Sequence, residues 1–199
     1  MTPPAGAARL ATVVREFARR TVVVVGDLIT DEYLFGKPAR ISREAPVLIL
    51  RFTEREVLLG GAANAAYNVF ALGARVVPVG VVGDDAAGDE ALALFRQVGI
   101  TTEGIVREQG RRTPVKTRIM AGGYQATRQQ VVRLDREPSS DPLPTSEDAM
   151  LARLDAFGAR ADAVLIPDYG YGSVTARVLE RARALARHTV VTADSRYDR

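Results

Sequence analysis

The stretch Thr21-Val22-Val23-Val24-Val25-Gly26-Asp27 indicates the fold class of this 199-residue chain. Five β-branched residues in a row, with no polar alternation, are typical of a strand that is buried on both faces, as in a parallel sheet. Similar runs predict further buried strands at residues 75–82, 163–166 and 189–193. Because helical segments separate these strands, the sequence predicts an α/β fold with a doubly wound sheet.

Two segments interrupt this alternation with β-type sequence. Residues 33–59 contain short β-prone pieces that glycine and proline divide, and residues 113–135 predict a hairpin that turns near Gly122-Gly123. We expect the two segments to pair with each other as a small separate sheet, a lid over one edge of the core.

The composition limits the chemistry that we expect. Cysteine is absent and His188 is the one histidine of the sequence, so disulfides, thiolate metal sites and a histidine-based triad are not predicted. The net charge of +3 is dispersed among acidic residues, which argues against nucleic acid as a partner. No stretch approaches the roughly 20 apolar residues of a membrane span, and no secretory signal is recognisable. We therefore expect a cytoplasmic protein without a membrane partner.

Carboxylates follow three of the predicted strands. Asp27 and Asp31 come after the first strand, Asp168 after the third and Asp194 after the fourth. Ligands of doubly wound sheets bind at the carboxyl ends of the strands, and a carboxylate there can accept hydrogen bonds from neighbouring sugar hydroxyls. Capping of a turn or helix is an equally good interpretation of each aspartate.

Gly60-Gly61 precedes a predicted helix that carries Asn64 one turn further on. Two glycines at a helix start let the backbone approach a ligand closely and leave N–H groups that point outward. Close packing of the helix on the sheet would explain the same string. For the later Gly83-Asp84-Asp85 turn we favour a structural interpretation, in which an aspartate caps the next helix.

Strand alternation places Lys116 and Arg118 on one face of the predicted hairpin, and Arg133 lies on its second strand. Cations gathered on one face could bind a substrate phosphate. An ordinary solvated face of the hairpin is the alternative.

These strings, in this order, resemble the PfkB/ribokinase family of carbohydrate kinases. Within it they are most similar to the heptose-7-phosphate kinase domain of heptose kinase/adenylyltransferase enzymes. The residues that carry the resemblance are Val25-Gly26-Asp27, Asp31, Tyr33, residues 40–47 (Arg-Ile-Ser-Arg-Glu-Ala-Pro-Val), residues 60–64 (Gly-Gly-Ala-Ala-Asn), residues 113–118 (Thr-Pro-Val-Lys-Thr-Arg), residues 132–135 (Val-Arg-Leu-Asp) and Asp168-Tyr169.

The resemblance implies a ribokinase-like, Rossmann-like sheet with a small β-lid and a homodimer that forms through the lid. It implies that the sugar or sugar phosphate is lined by Asp27, Asp31, Gly60, Gly61, Asn64 and Asp168. The residues that it offers to a substrate phosphate are Lys116, Arg118 and Arg133. In such enzymes ATP and Mg²⁺ are the cofactors, and Asp194 is the position that we expect nearest to the nucleotide. No metal site is predicted within the chain itself.

The family's catalytic Gly-Ala-Gly-Asp motif does not occur in these residues. By resemblance, residues 1–199 are then the N-terminal part of one kinase domain that is truncated at the C-terminus, with residues 33–59 and 113–135 as lid segments, and we expect no kinase activity from them alone. The chain also has Tyr171 where the heptose kinases usually have a lysine, and Asp194-Ser195-Arg196 where they have Asp-Pro-Lys.

Two other functions stay open at this point. The chain could be a non-catalytic module that binds a sugar phosphate or dimerises through its lid. A different α/β nucleotide-binding protein is disfavoured, because neither a Gly-x-Gly-x-x-Gly string after the first strand nor a Walker A string is present.

Overall fold

The structure, a computed structural model, describes residues 5–123 and 126–195. Within these ranges the helices are α1 (Ala5–Glu16), α2 (Gly61–Ala71), α3 (Ala86–Gln97), α4 (Pro144–Gly158) and α5 (Ala176–Leu185). The strands are β1 (Thr21–Val25), β2 (Leu28–Ile41), β3 (Leu48–Gly60), β4 (Arg75–Gly83), β5 (Ile105–Glu108), β6 (Val115–Gly123), β7 (Ala126–Arg136), β8 (Ala163–Asp168) and β9 (Val190–Ser195). None of the helices in the described part of the chain is long and apolar enough to cross a membrane.

Five parallel strands form the main sheet in the order β5-β4-β1-β8-β9. The predicted α/β doubly wound fold is therefore confirmed, and the four predicted core strands are β1, β4, β8 and β9. Strand β5 was not predicted. It has four residues, Ile-Val-Arg-Glu, too few to show either an apolar run or a clear alternation.

Successive valines of β1 serve two separate hydrophobic cores, because strand side chains point to alternate faces. Val22 and Val24 pack with α2 and α3 on one face of the sheet. Val23 and Val25 pack with α4 and α5 on the other face. The uninterrupted β-branched run is thus explained by burial of β1 on both sides, as expected for a doubly wound sheet.

The second sheet, called the lid sheet below, has the order β3-β2-β6-β7. Strands β2 and β6 are parallel, whereas β2–β3 and β6–β7 are antiparallel. The prediction that residues 33–59 form several short strands was wrong, because β2 and β3 are continuous over 14 and 13 residues. Gly36 and Pro38 lie at irregularities of the β2–β3 register rather than at strand ends. Strand β6 pairs with β2 only as far as Gly36, so Pro38 lies where β2 has one neighbour, as proline requires.

Asp85 confirms the structural interpretation of the Gly83-Asp84-Asp85 turn. It is the N-cap of α3, and its Oδ1 accepts a hydrogen bond from the Gly88 backbone N–H at 2.8 Å. The same carboxylate also accepts from the backbone N–H of Thr113 at 2.9 Å and from its hydroxyl at 2.7 Å. Asp85 therefore joins the start of α3 to the segment that enters β6. Although burial opposes its charged form, the Thr113 and Gly88 hydrogen bonds hold the pKa of Asp85 below its usual value.

We predict that Asp85→Ala lowers the free energy of unfolding by about 1–3 kcal/mol at pH 7, because it removes a cap and leaves buried donors unpaired. A carboxylate with a depressed pKa stabilises the fold above its unfolded pKa, near 4, and the stabilisation is lost as the pH falls through the folded value. The stability gap between the two proteins should therefore close in acid. Urea unfolding from pH 7 to pH 3 measures it.

Asp84→Ala is the matched control, since Asp84 pairs only with the exposed Arg107 among its described ion pairs. An exposed ion pair contributes less than about 1 kcal/mol. An equal loss of stability in the two variants at pH 7 would contradict the role given to Asp85.

Candidate functional site

The order in which the chain adds strands to the main sheet reverses direction between β1 and β8. From β1 the chain proceeds to β4 and β5 on one side, and it later adds β8 and β9 on the other. Such a switch point opens a crevice at the carboxyl ends of the strands, where ligands of doubly wound sheets bind. Asp27 follows β1 at this point, and residues 169–173, called the tyrosine loop below, follow β8.

The side chain of Asp27 lies under the tyrosine loop and is 1% exposed. Its Oδ2 accepts hydrogen bonds from the backbone N–H groups of Tyr169 and Tyr171, at 3.0 and 3.1 Å. Its Oδ1 accepts from the backbone N–H of Ser173 at 2.9 Å. The carboxylate is thus occupied by the protein's own backbone, whereas the sequence suggested that Asp27 lines a substrate.

Asp31 lies at the base of the lid sheet and pairs with Arg118. Its Oδ1 accepts a hydrogen bond from Arg118 Nη1 at 2.7 Å, and both side chains are about 20% exposed. Although burial opposes its charge, the hydrogen bond and attraction of Asp31 hold the pKa of Arg118 above its usual value. Gly60 makes room for this pair, because a Cβ there would lie 2.7 Å from Asp31 Cγ.

The strand register places the candidate cations on the same face of the lid sheet as Asp31. Asp31 is the register partner of Lys116, and Arg118 is the partner of both Tyr33 and Arg133. Paired residues share a face and so do residues two apart along a strand. The face therefore carries Asp31, Tyr33, Lys116, Arg118, Arg133 and Asp135, called the charged lid face below.

Two of these cations, Lys116 and Arg118, lie over aromatic rings. Lys116 Nζ lies 5.3 Å from the ring centroid of Tyr169 and 5.4 Å from that of Tyr171, within the range of a cation–π contact. The guanidinium of Arg118 lies 5.3 Å from the ring centroid of Tyr33. Lys116 therefore joins the charged lid face to the tyrosine loop across the crevice. Tyr171, at the position where the resemblance led us to expect a lysine, here faces Lys116 of β6.

A polar cavity of about 410 Å³ opens beside the tyrosine loop. Residues 137–141, between β7 and α4, form one wall, and residues 169–171 form the other. Its lining contains the carboxylates of Glu137 and Asp141 and the hydroxyls of Ser139 and Ser140. Such groups can accept and donate the hydrogen bonds that a sugar offers.

Gly61 and Asn64 have different surroundings from Asp31. Gly61 has φ +55°, a conformation that favours glycine, and a Cβ there would meet Ile29 and the Asp27 carbonyl oxygen. Asn64 is exposed and lines a separate, mostly apolar cavity of about 210 Å³ between α2, α3 and the end of β3. The structure therefore brings Gly60 and Gly61 to the crevice but places Asn64 at another surface.

The remaining candidate carboxylates lie at the ends of β8 and β9. Asp168 is buried, and its Oδ1 accepts a hydrogen bond from the Gly170 backbone N–H at 2.9 Å. Asp194 is exposed and is the register partner of Pro167. Arg196 lies outside the described residues. Among the residues that the structure describes, no group of three or more His, Cys, Asp or Glu could hold a metal ion.

A polar network on the opposite face of the lid sheet was not predicted from the sequence. Glu32 is buried and accepts hydrogen bonds from Arg55 Nε at 2.7 Å, from the Thr117 hydroxyl at 2.5 Å and from Arg136 at 2.9 Å. Arg55 continues to both carboxylate oxygens of Glu90 in α3, at 2.7 and 2.8 Å. One network thus links all four lid strands to the core. Alternation along β2 and β6 is a signal that separates Glu32 and Thr117 from the charged lid face.

Arg111 is a second residue that the sequence analysis missed. It lies in the segment between β5 and β6 and is 7% exposed. Its Nη1 donates to the Ser140 carbonyl and its Nη2 to the Tyr171 carbonyl, each at 2.8 Å. No pattern singles it out among the 27 lysine and arginine residues of the sequence.

Comparison with known families agrees with this architecture. Residues 19–192 match a family model described as pfkB family carbohydrate kinase. The chain belongs to the pfkB family of carbohydrate kinases. The match extends from just before β1 into β9, and it confirms the family that the sequence motifs suggested.

Curated relatives of this pfkB-family chain include two bacterial proteins named bifunctional protein HldE. The one from Wolinella succinogenes is 41% identical over 177 residues, which are 87% of this chain and 36% of that protein. The one from Geobacter sulfurreducens is 42% identical over 165 residues, 83% of this chain and 33% of that protein. The chain spans about a third of the length of these relatives.

Solved pfkB-type structures share the fold. Phosphofructokinase-2 from Escherichia coli, in complex with fructose-6-phosphate, superposes with a TM-score of 0.67 at 14% identity, covering 90% of this chain and 55% of that one. Fructokinase from Xylella fastidiosa gives a TM-score of 0.57 at 22% identity, covering 90% of this chain and 53% of that one. The ribokinase-like fold expected from the sequence is therefore confirmed.

We predict that Gly60→Ala destabilises the protein by about 1–3 kcal/mol, because its Cβ would displace the Asp31 carboxylate from Arg118. Gly60 has φ −121°, which alanine adopts without strain, so the expected loss is steric. In the Asp31→Ala background the obstacle is gone, and the same substitution should cost much less. A double-mutant cycle of urea unfolding measures this coupling, expected at about 0.5–3 kcal/mol. Equal losses in both backgrounds would contradict the packing of Asp31 on Gly60.

Proposed function

We propose that this chain is the sugar-binding portion of an ATP-dependent carbohydrate kinase whose substrate is a sugar phosphate of the heptose 7-phosphate class. The observation that carries the proposal is the charged lid face. It sets three cations and two carboxylates over the switch-point crevice of the main sheet. Residues 1–199 would then belong to one kinase domain, with residues 33–59 and 113–135 as its lid segments.

Asp31 is our candidate for holding sugar hydroxyls. A carboxylate offers about four acceptor positions, so the bond from Arg118 leaves capacity for a hydroxyl pair. The Arg118 hydrogen bond orients Asp31 before the sugar binds. Gly60 and Gly61 support this role by allowing the chain to pass close to the carboxylate and to Ile29. Asn64, in a separate cavity, and Asp168, at the end of β8, also stay candidates for contact with the sugar.

Lys116, Arg118 and Arg133 are our candidates for the substrate phosphate. The charged lid face carries these three cations and two carboxylates, Asp31 and Asp135, so positive charge exceeds negative charge on it. A phosphate that approaches Lys116 would also reach the arginines on the same face. Charge-assisted bonds of this kind are stronger than neutral ones, which suits a phosphorylated sugar better than a free one.

Asp194 stays our candidate for the nucleotide side, at the end of β9. In kinases of this type ATP with Mg²⁺ supplies the phosphoryl group that is transferred. The described residues hold no cluster of three carboxylates or histidines for the metal, so they do not fit a complete Mg²⁺ site. What they offer is orientation of the acceptor sugar.

The lid sheet also supports the proposal of a homodimer. Large apolar side chains are exposed on it, among them Ile41 at 61% and Phe52 at 64%, with Val131, Val132 and Leu134 of β7. Several of these side chains lie on β3 and β7, the two edge strands of the lid sheet, where a second copy could cover them. The same surface favours the second candidate function, a module that binds a sugar phosphate and dimerises without catalysis.

We predict that Lys116→Met weakens binding of a sugar phosphate at least tenfold, which is about 1.4 kcal/mol, and leaves binding of the unphosphorylated sugar nearly unchanged. Asp31→Asn should weaken both ligands, because it acts on hydroxyls. Isothermal titration calorimetry with heptose 7-phosphate, hexose 6-phosphate and the unphosphorylated heptose measures these affinities.

Lys37→Met is the matched control, since Lys37 is the chain's other lysine and also lies in the lid sheet, beyond the charged lid face. If Lys116→Met and Lys37→Met bind the sugar phosphate equally well, the phosphate role of Lys116 is wrong. If the unmodified chain binds no sugar phosphate, the proposed function fails.

A further inference from the structure

The tyrosine loop is held from two sides by side chains of opposite charge. Asp27 accepts three hydrogen bonds from the loop's backbone N–H groups, those of residues 169, 171 and 173. Arg111 donates to the Tyr171 carbonyl oxygen and, through its other terminal nitrogen, to that of Ser140. Both charged side chains are more than nine-tenths buried.

Burial makes these contacts decisive for the conformation of the loop. A buried carboxylate is strongly unfavourable unless hydrogen bonds satisfy it, and here all three described donors to Asp27 come from one loop. If the loop moved away, the charge of Asp27 would lose these donors at once. The loop therefore has one favoured position, and Asp27 determines it.

The backbone around Arg111 is itself fixed to the end of β4. A Cβ at Gly83 would overlap the Arg111 carbonyl oxygen, so glycine lets this segment cross the strand end. The Gly83 N–H donates to the Thr113 hydroxyl at 2.8 Å. Burial lowers the pKa of Arg111, and the charges of Glu108, Asp27 and Asp141 oppose that shift. Asp27 and Arg111 thus compensate each other's charge beneath the loop.

The loop in turn supplies the two rings that flank Lys116 and one wall of the 410 Å³ polar cavity. A displaced loop would separate both rings from Lys116 Nζ and widen the cavity. Asp27 and Arg111 therefore affect the charged lid face indirectly, through the contacts of Tyr169 and Tyr171 with Lys116.

We infer that Asp27 and Arg111 are positioning residues: together they fix the tyrosine loop so that Tyr169 and Tyr171 hold Lys116 at the sugar-phosphate site, and Asp27 itself does not contact the substrate. The inference rests on the proposed function, since Lys116 has a ligand only if the charged lid face binds one. The fixing of the loop, however, is observable without any ligand.

The first test is amide hydrogen exchange of the chain without ligand. Asp27→Asn keeps the side-chain size but turns one acceptor into a donor, so the amides of residues 169, 171 and 173 should exchange at least tenfold faster. Asp162→Asn is the matched control, because Asp162 accepts from the Thr21 backbone N–H at 2.8 Å at the opposite end of β1. It should leave the tyrosine loop protected.

The second test is a pair of double-mutant cycles on the affinity for a sugar phosphate. If Asp27 acts through the tyrosines, Asp27→Asn and Tyr171→Leu should each weaken binding about tenfold, and the double variant should be no weaker than either alone. Asp27→Asn and Asp31→Asn should instead multiply, because Asp31 acts on the ligand separately. A general loss of stability would not produce this difference.

Arg111→Met provides an independent variant should Asp27→Asn fail to fold, and it should show the same faster exchange at residues 169–173. Full protection of the loop in both variants, or an Asp27→Asn effect that multiplies with Tyr171→Leu, would overturn the inference. If the unmodified chain binds no sugar phosphate, the proposed function falls, and the exchange measurement without ligand still decides whether Asp27 and Arg111 fix the loop.

Discussion

The carboxylate of Asp27 receives three backbone N–H groups from the segment after β8, and the geometry of the crevice depends on this interaction. It joins the ends of two neighbouring strands at the point where the chain's connections diverge. Together with the Arg111 hydrogen bond to the Tyr171 carbonyl, it connects the loop that carries the Tyr169 and Tyr171 rings to the sheet. This buried carboxylate is thus satisfied by the loop that faces the lid.

The lid sheet is attached to the core through a second buried carboxylate, that of Glu32. Here the donors are side chains rather than backbone N–H groups. Glu32 gathers donors from three other lid strands, and Arg55 carries the network on to Glu90 of α3. Although burial opposes its charge, the hydrogen bonds from Thr117 and Arg55 hold the pKa of Glu32 below its usual value. One face of the lid is thus used for attachment to the core. The other face, with Asp31 and Lys116, is left to the crevice.

The sequence predicted most of the fold because burial leaves periodic patterns. The valine run of β1 and the alternation of Lys116 and Arg118 are local signals that the structure bears out. The register of β2 and β3 across Gly36 and Pro38 was missed, since neighbouring strands decide whether such residues end a strand or form a bulge. The partners of Asp27, Glu32 and Arg111 lie from 23 to 146 positions away along the chain, so no spacing rule could reveal them.

Mapping the ligand on the molecule tests the central claim most directly, that a sugar phosphate binds between the charged lid face and the tyrosine loop. Titration of the isotope-labelled chain with heptose 7-phosphate, followed by backbone amide NMR shifts, provides the map. We expect shifts concentrated at residues 30–34, 115–118 and 168–173. Shifts concentrated instead around Tyr67, Leu94 and Val98, or no saturable shifts at all, would contradict the account.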